Sequence, residues 1–173
     1  MKQIYHILST VVICALTIPV ANALDLSKYT NKATEAISGG SELLSMGNEL
    51  LRSFNGNEQA TSAAKGLLKS FNTENYLGAF DYYNQIKSAA LKPSQVQTWN
   101  DVKNRLSAII LKRNFDFKKP DLSALTRKAS TALQNNDSKR ASRYLGQLKD
   151  AASLTSGQKS LLQKIQSHLL PVE

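Results

Sequence analysis

Cysteine and histidine are nearly missing from this chain. Its one cysteine, Cys14, and one of its two histidines, His6, both fall within the first 23 residues. That stretch has the form of a secretory signal peptide. Lys2 supplies a basic start, residues 7–20 form an apolar run too short to span a bilayer comfortably, and Ala21-Asn22-Ala23 fits the small-x-small cleavage rule. Cys14 follows Ile13 rather than a small residue, which argues against a lipoprotein site. Cleavage after Ala23 is expected to leave 173 − 23 = 150 residues from Leu24, enough for one domain with a core. An exported product without cysteine must hold together by packing rather than by disulfides.

The same scarcity bounds the chemistry. A His/Cys metal cluster is excluded, and the remaining histidine, His168, reads as a helix-end residue whose cationic form suits the helix dipole. No Glu-x-x-His pair and no close group of carboxylates on one helix face is present, so no catalytic, cofactor-binding or metal-ligating residue is assigned. The chain is expected not to be an enzyme. Beyond the first 23 residues no run approaches roughly 18 apolar residues, so no membrane span is expected after cleavage. Alternating β-branched stretches are missing too, and the predicted fold class is all-α.

What the chain does contain is one helix written twice. Residues 75–90 and 137–152 align without a gap at an offset of 62, with identities at Ala79/Ala141, Tyr82/Tyr144, Gln85/Gln147, Lys87/Lys149, Ala89/Ala151 and Ala90/Ala152. Four of the pairs, Ala79/Ala141, Tyr83/Leu145, Ile86/Leu148 and Ala90/Ala152, follow i, i+4, i+7 and i+11 spacing, one stripe of a helix. What repeats is therefore a buried face, with Tyr82 and Tyr144 on its flank.

Around this element the chain divides into an N-terminal helix over 24–56, a first helical unit over 57–113, a connection over 114–120 and a second unit over 121–173. In the first helix Ala33, Gly40, Gly47 and Phe54, interleaved with Ile37, Leu44 and Leu51, keep a heptad seam through Gly39-Gly40. Ala60, Ala64, Leu67, Leu68 and Phe71 mark the next helix, and Asn72 or Thr73 is expected to cap the repeated one. Pro93 opens a third helix with Val96, Trp99, Val102, Leu106 and Ile110 inward. Phe115 and Phe117 suit an extended connection pinned at two points. Leu122, Leu125, Ala129, Ala132 and Leu133 then mark the second unit's first helix, and residues 134–137 its turn. Thr155 and Gln158 have capping-box spacing ahead of Leu161, Leu162, Ile165 and Leu169. The expected architecture is a long N-terminal helix plus two related three-helix units, arranged as a short solenoid or a bundle.

The segment Asn75-Tyr76-Leu77-Gly78-Ala79-Phe80-Asp81-Tyr82-Tyr83-Asn84-Gln85-Ile86 resembles the turn and second helix of a tetratricopeptide repeat. Ala79 and Ala141 would be the small residues that let the two helices of each hairpin pack closely. The resemblance implies a helical scaffold that binds a peptide or protein.

Charge supplies the alternative. Residues 24–100 hold seven Lys/Arg and seven Asp/Glu, whereas residues 101–173 hold fourteen against six. Such an excess can collect a polyanion by raising its local concentration. Lys139, Arg140 and Arg143 lie off the buried stripe, and with Tyr82 and Tyr144 they are the candidate binding residues. Asn136-Asp137-Ser138 also has the form of a glycosylation sequon. The expected function is that of an exported, periplasmic or extracellular scaffold without enzymatic activity, holding a peptide or protein between its units. Binding an anionic polymer or surface through the basic second half is the alternative.

Overall fold

A computed structural model describes residues 40–151 and 153–169. The expected signal peptide and residues 24–39 of the expected N-terminal helix lie outside these. The described residues form seven helices and no strand: α1 (Gly40–Ser53), α2 (Glu58–Asn72), α3 (Tyr76–Ser88), α4 (Pro93–Asn114), α5 (Pro120–Gln134), α6 (Ser138–Lys149) and α7 (Ser156–Ser167). The fold is all-α, as the patterning predicts.

The two hairpins, α2–α3 and α5–α6, are copies in detail. α2 and α5 each run for 15 residues. Glu74 and Asn136, 62 positions apart, both take φ of 56°. The same three backbone bonds close both turns: Asn75 N to Ser70 O and Asp137 N to Ala132 O, Glu74 N to Phe71 O and Asn136 N to Leu133 O, Tyr76 N to Glu74 O and Ser138 N to Asn136 O. Asn75 then caps α3 by accepting from Gly78 N, and Asp137 caps α6 by accepting from Arg140 N. This corrects the expectation that Asn72 or Thr73 is the cap. The left-handed residue lengthens the turn, so the capping position moves on to Asn75, and Thr73 instead donates its hydroxyl back to Lys69 O. Ala79 and Ala141 are each 0% exposed, as are Tyr83, Leu145, Ile86 and Leu148.

α1 differs from its expected seam. The buried face is Leu43, Met46, Gly47, Leu50 and Phe54, whereas Leu44 and Leu51 sit half-buried on its flank. Because α1 packs against both α2 and α4, Leu43 and Leu50 take the inward places expected of Leu44 and Leu51, while Gly47 and Phe54 of the expected seam stay buried. Gly47 allows this approach: a Cβ there would stand 3.0 Å from Leu68 Cδ1.

Helix packing runs in a cycle, α1 on α2, α2 on α3, α3 on α7, α7 on α6, α6 on α5, α5 on α4, and α4 back on α1. Of the two arrangements expected, the described residues therefore form a closed bundle. Across its middle, Tyr83 meets Trp99 edge-on at 5.0 Å and Phe80 at 5.0 Å. These large rings hold α3 at a distance from α4. The connection is pinned as expected, with Phe115 buried, Phe117 packed against the core and the two rings 6.0 Å apart.

The third helices of the two expected units carry the same latch. Gln95 and Gln158, each at the third position of its helix, accept from the N-cap backbone of Lys92 and Thr155. Their amide nitrogens reach the last carbonyl of an earlier helix, Ser53 O for Gln95 at 2.8 Å and Asn114 O for Gln158 at 2.9 Å. α1 thus stands to the first hairpin as α4 stands to the second, and buried Phe54 and Phe115 follow those two helices alike. The same bonds relate α4 to the first hairpin as α7 to the second, so α1, α4 and α7 alternate with the two hairpins.

Candidate functional site

A hollow lies where α1, α4 and the second hairpin's turn meet. It is a cleft of about 670 Å³ lined by Glu49, by one side of α4 between Pro93 and Asn104, and by Asn136, Ser138 and Leu169. α4 can supply this wall because it is the central helix: it buries Ile109, Ile110 and Leu111 together, and its polar residues Lys103, Asn104 and Ser107 are enclosed as well. One chain of contacts organises the rim. Arg105 bonds Glu49 at 3.0 Å and Asp101 at 3.3 Å, Asn136 donates to the other Asp101 oxygen at 2.6 Å, and Asn104 donates to Asn136 Oδ1 at 3.0 Å. Asn104 is 5% exposed, and its own Oδ1 finds no partner among the described residues. Leaving such an acceptor empty costs about 1–3 kcal/mol.

Lys103 sits beside this network, 3% exposed, with its ammonium donating to Asn100 Oδ1 at 3.0 Å. Burial, and after it the charge of Lys87, push its pKa down to about 8. Tyr83 donates to Lys103 O at 3.4 Å, and burial raises its phenol. His168 caps α7 and bridges to α3. Its Nδ1 lies 2.8 Å from Lys164 O, its Nε2 lies 3.0 Å from Asn84 Oδ1, and its ring packs on Phe80 and Tyr83. Burial lowers its pKa first, the carbonyl of Lys164 opposes this, and the charges of Lys103, Lys164 and Lys87 add to the lowering.

The five candidate binding residues are not brought together. Tyr82 and Tyr144 are both half-buried at the edge of the core, on different hairpins. Arg140 and Tyr144 line a second hollow, a groove of about 490 Å³ between α5 and α6 that also holds Arg127, Lys128, Thr131, Asn135 and Asp137. Lys139 and Arg143 are exposed and do not line it. The sequon residue Asn136 has its amide nitrogen engaged by Asp101. Sequence reasoning missed Asn104, Lys103 and Gln97. The available signal was the length of α4, 22 residues with apolar positions on more than one side, which marks a central helix.

Among the described residues no group of three or more His, Cys, Asp or Glu could hold a metal ion, and no helix is long and apolar enough to cross a membrane. Comparison with family models, with curated proteins and with solved structures returned no match, so the site geometry carries the functional reading.

Proposed function

We propose that this protein is an exported, non-enzymatic helical scaffold, similar in role to a tetratricopeptide repeat, that holds a peptide segment of a partner protein in the cleft beside α4. The observation that carries this reading is Asn104 Oδ1, a buried acceptor without a partner among the described residues, in a cleft that also presents Gln97, Thr98 and Ser138 beside the carboxylates of Glu49 and Asp101 and the apolar Pro93, Val96 and Leu169. Asn104 Oδ1 is an acceptor for one peptide N–H, and the carboxamide of Gln97, exposed on the same wall, adds an acceptor and a donor group, the pair that a peptide backbone presents. The only histidine of the described residues has both ring nitrogens engaged, which supports binding over catalysis.

A photocrosslinking residue placed at exposed Gln97 tests this. In the exported fraction it is expected to give a defined adduct with one partner, reduced in the Asn104→Leu variant. The same probe at exposed Lys159, away from the cleft, is expected to give none. Equal adduct patterns at the two positions, or no adduct from a folded sample, would refute the reading.

A further inference from the structure

The duplication provides an internal control for the groove between α5 and α6. In the first hairpin Tyr82 lies against the backbone of α2 at Gly66, so closely that a Cβ there would overlap its ring. At the matching place of the second hairpin stands Lys128, and Tyr144 cannot settle onto α5 in that way. Gly78 likewise becomes Arg140, and Lys65 becomes Arg127. Gly66, on which Tyr82 closes the first copy, and Gly78, beside the Asn75 cap, are both replaced by cations in the second, while the turn and capping geometry stays the same.

The result is a groove with three cations, Arg127, Lys128 and Arg140, and one carboxylate, Asp137. Asp137 is held by Arg140 at 3.2 Å, and neither Arg127 nor Lys128 forms an ion pair among the described residues. The groove therefore has a net of two positive charges, with the amide of Asn135 and the hydroxyls of Thr131 and Tyr144 as further hydrogen-bonding groups.

We propose that this groove binds a phosphomonoester group. A phosphomonoester carries about −1.5 to −2 charge at neutral pH and three strong acceptor oxygens, which matches the net charge and the donors present. Arg127 supplies a planar fork for two of those oxygens and Lys128 a point charge. A phosphodiester, as in nucleic acid or most lipid headgroups, carries one charge and leaves the groove half-compensated. This site shares no lining residue with the cleft beside α4, so either proposal can fail alone.

The test is an NMR titration of isotope-labelled protein, read at the Arg127 side chain and the Asn135 amide. Glycerol 2-phosphate is expected to give saturable shifts, and dimethyl phosphate to bind at least about tenfold more weakly. Arg127→Gln and Lys128→Gln, singly and together, are expected to weaken binding, whereas Lys65→Gln with Lys69→Gln, on the first hairpin, is expected to leave it unchanged. All four positions are exposed, and a melting curve checks each variant's fold. The proposal is overturned by absence of saturation at about 10 mM, which places the Kd above about 1 mM. It is also overturned if folded Arg127 and Lys128 variants bind as the unaltered protein does, or if phosphatidylglycerol vesicles bind and glycerol 2-phosphate does not.

Discussion

Lys103 gives the structure a measurable pH signature. Its pKa is held at about 8 by burial and by Lys87, and unfolding returns it to the ordinary 10.5. Between these values the unfolded chain carries more protons than the native one, so stability must rise with pH across that window. Below the lower value the cost of burying the charge is present in full. Linkage with these two pKa values gives a gain of about 1.3 kcal/mol from about pH 7 to about pH 9, an upper figure because solvent screening at the mouth of an open cleft reduces it. Lys103→Met keeps the length of the side chain and removes the proton. Its stability is expected to stay level with respect to this group, so the difference between variant and unaltered protein should shrink by about 1 kcal/mol over the same range. Any constant offset, such as the lost bond to Asn100, cancels in that comparison. Urea unfolding at each pH, followed by fluorescence of the single, buried Trp99, supplies the measurement. Work must stop short of pH 10, because Tyr83 is kept protonated by burial and its ionisation in the unfolded chain then subtracts stability. Parallel curves for the two proteins would refute the claim that Lys103 is desolvated in the native state.

Two other outcomes follow from named contacts. His168 has a lowered native pKa, so the unfolded chain binds the extra proton first and stability should fall as pH drops below about 6.5. His168→Gln is expected to flatten that limb in thermal melts from about pH 7 to about pH 5, and an unchanged slope would place the imidazole in water. Gln95 and Gln158 each serve a helix cap and an interhelix bond, so Gln95→Ala and Gln158→Ala should each cost about 1–2 kcal/mol in urea titrations. If one variant loses stability and the other does not, the two latches are not equivalent.

Much of the fold was legible because apolar spacing survives duplication. The stripe from Ala79 and Ala141 is buried in both copies as far as Ile86 and Leu148, whereas Ala90, expected to continue it, lies past the end of α3 and is exposed; the Thr155–Gln158 capping box forms. The turns were harder to read. A left-handed residue is usually signalled by glycine or asparagine, yet here the first copy uses Glu74, which gives no such signal and strains the backbone. Asn136 in the second copy does suit that conformation, and the offset of 62 would have carried the inference back to Glu74. The latch between α1, α4 and α7 was hidden for a different reason. Gln95 and Gln158 bond to Ser53 and Asn114 across 42 and 44 residues, and such pairs leave no local pattern. Arg127, Lys128 and Arg140 were visible as charges, but not their meeting across a hairpin groove. Aligning Gly66 with Lys128 and Gly78 with Arg140 would have pointed there.

The turn over 135–138 is what joins the two hollows. Asn135 and Asp137 line the groove, while Asn136 and Ser138 line the cleft, so successive residues of one short segment wall opposite spaces. In the first copy Ser138 is replaced by Tyr76, which packs edge-on against Phe71 at 5.6 Å and accepts from Arg113 at 3.0 Å. The same backbone thus carries a large buried ring in one copy and a small hydroxyl in the other, where Ser138 instead bonds Leu169 O. Substitution at a few positions, with no change of turn geometry, opened the second copy on both sides. A glycan on Asn136 is therefore expected to obstruct the cleft. Modification would leave that nitrogen a single N–H, the one that its 2.6 Å bond to Asp101 requires, and would place a bulky group at the cleft wall.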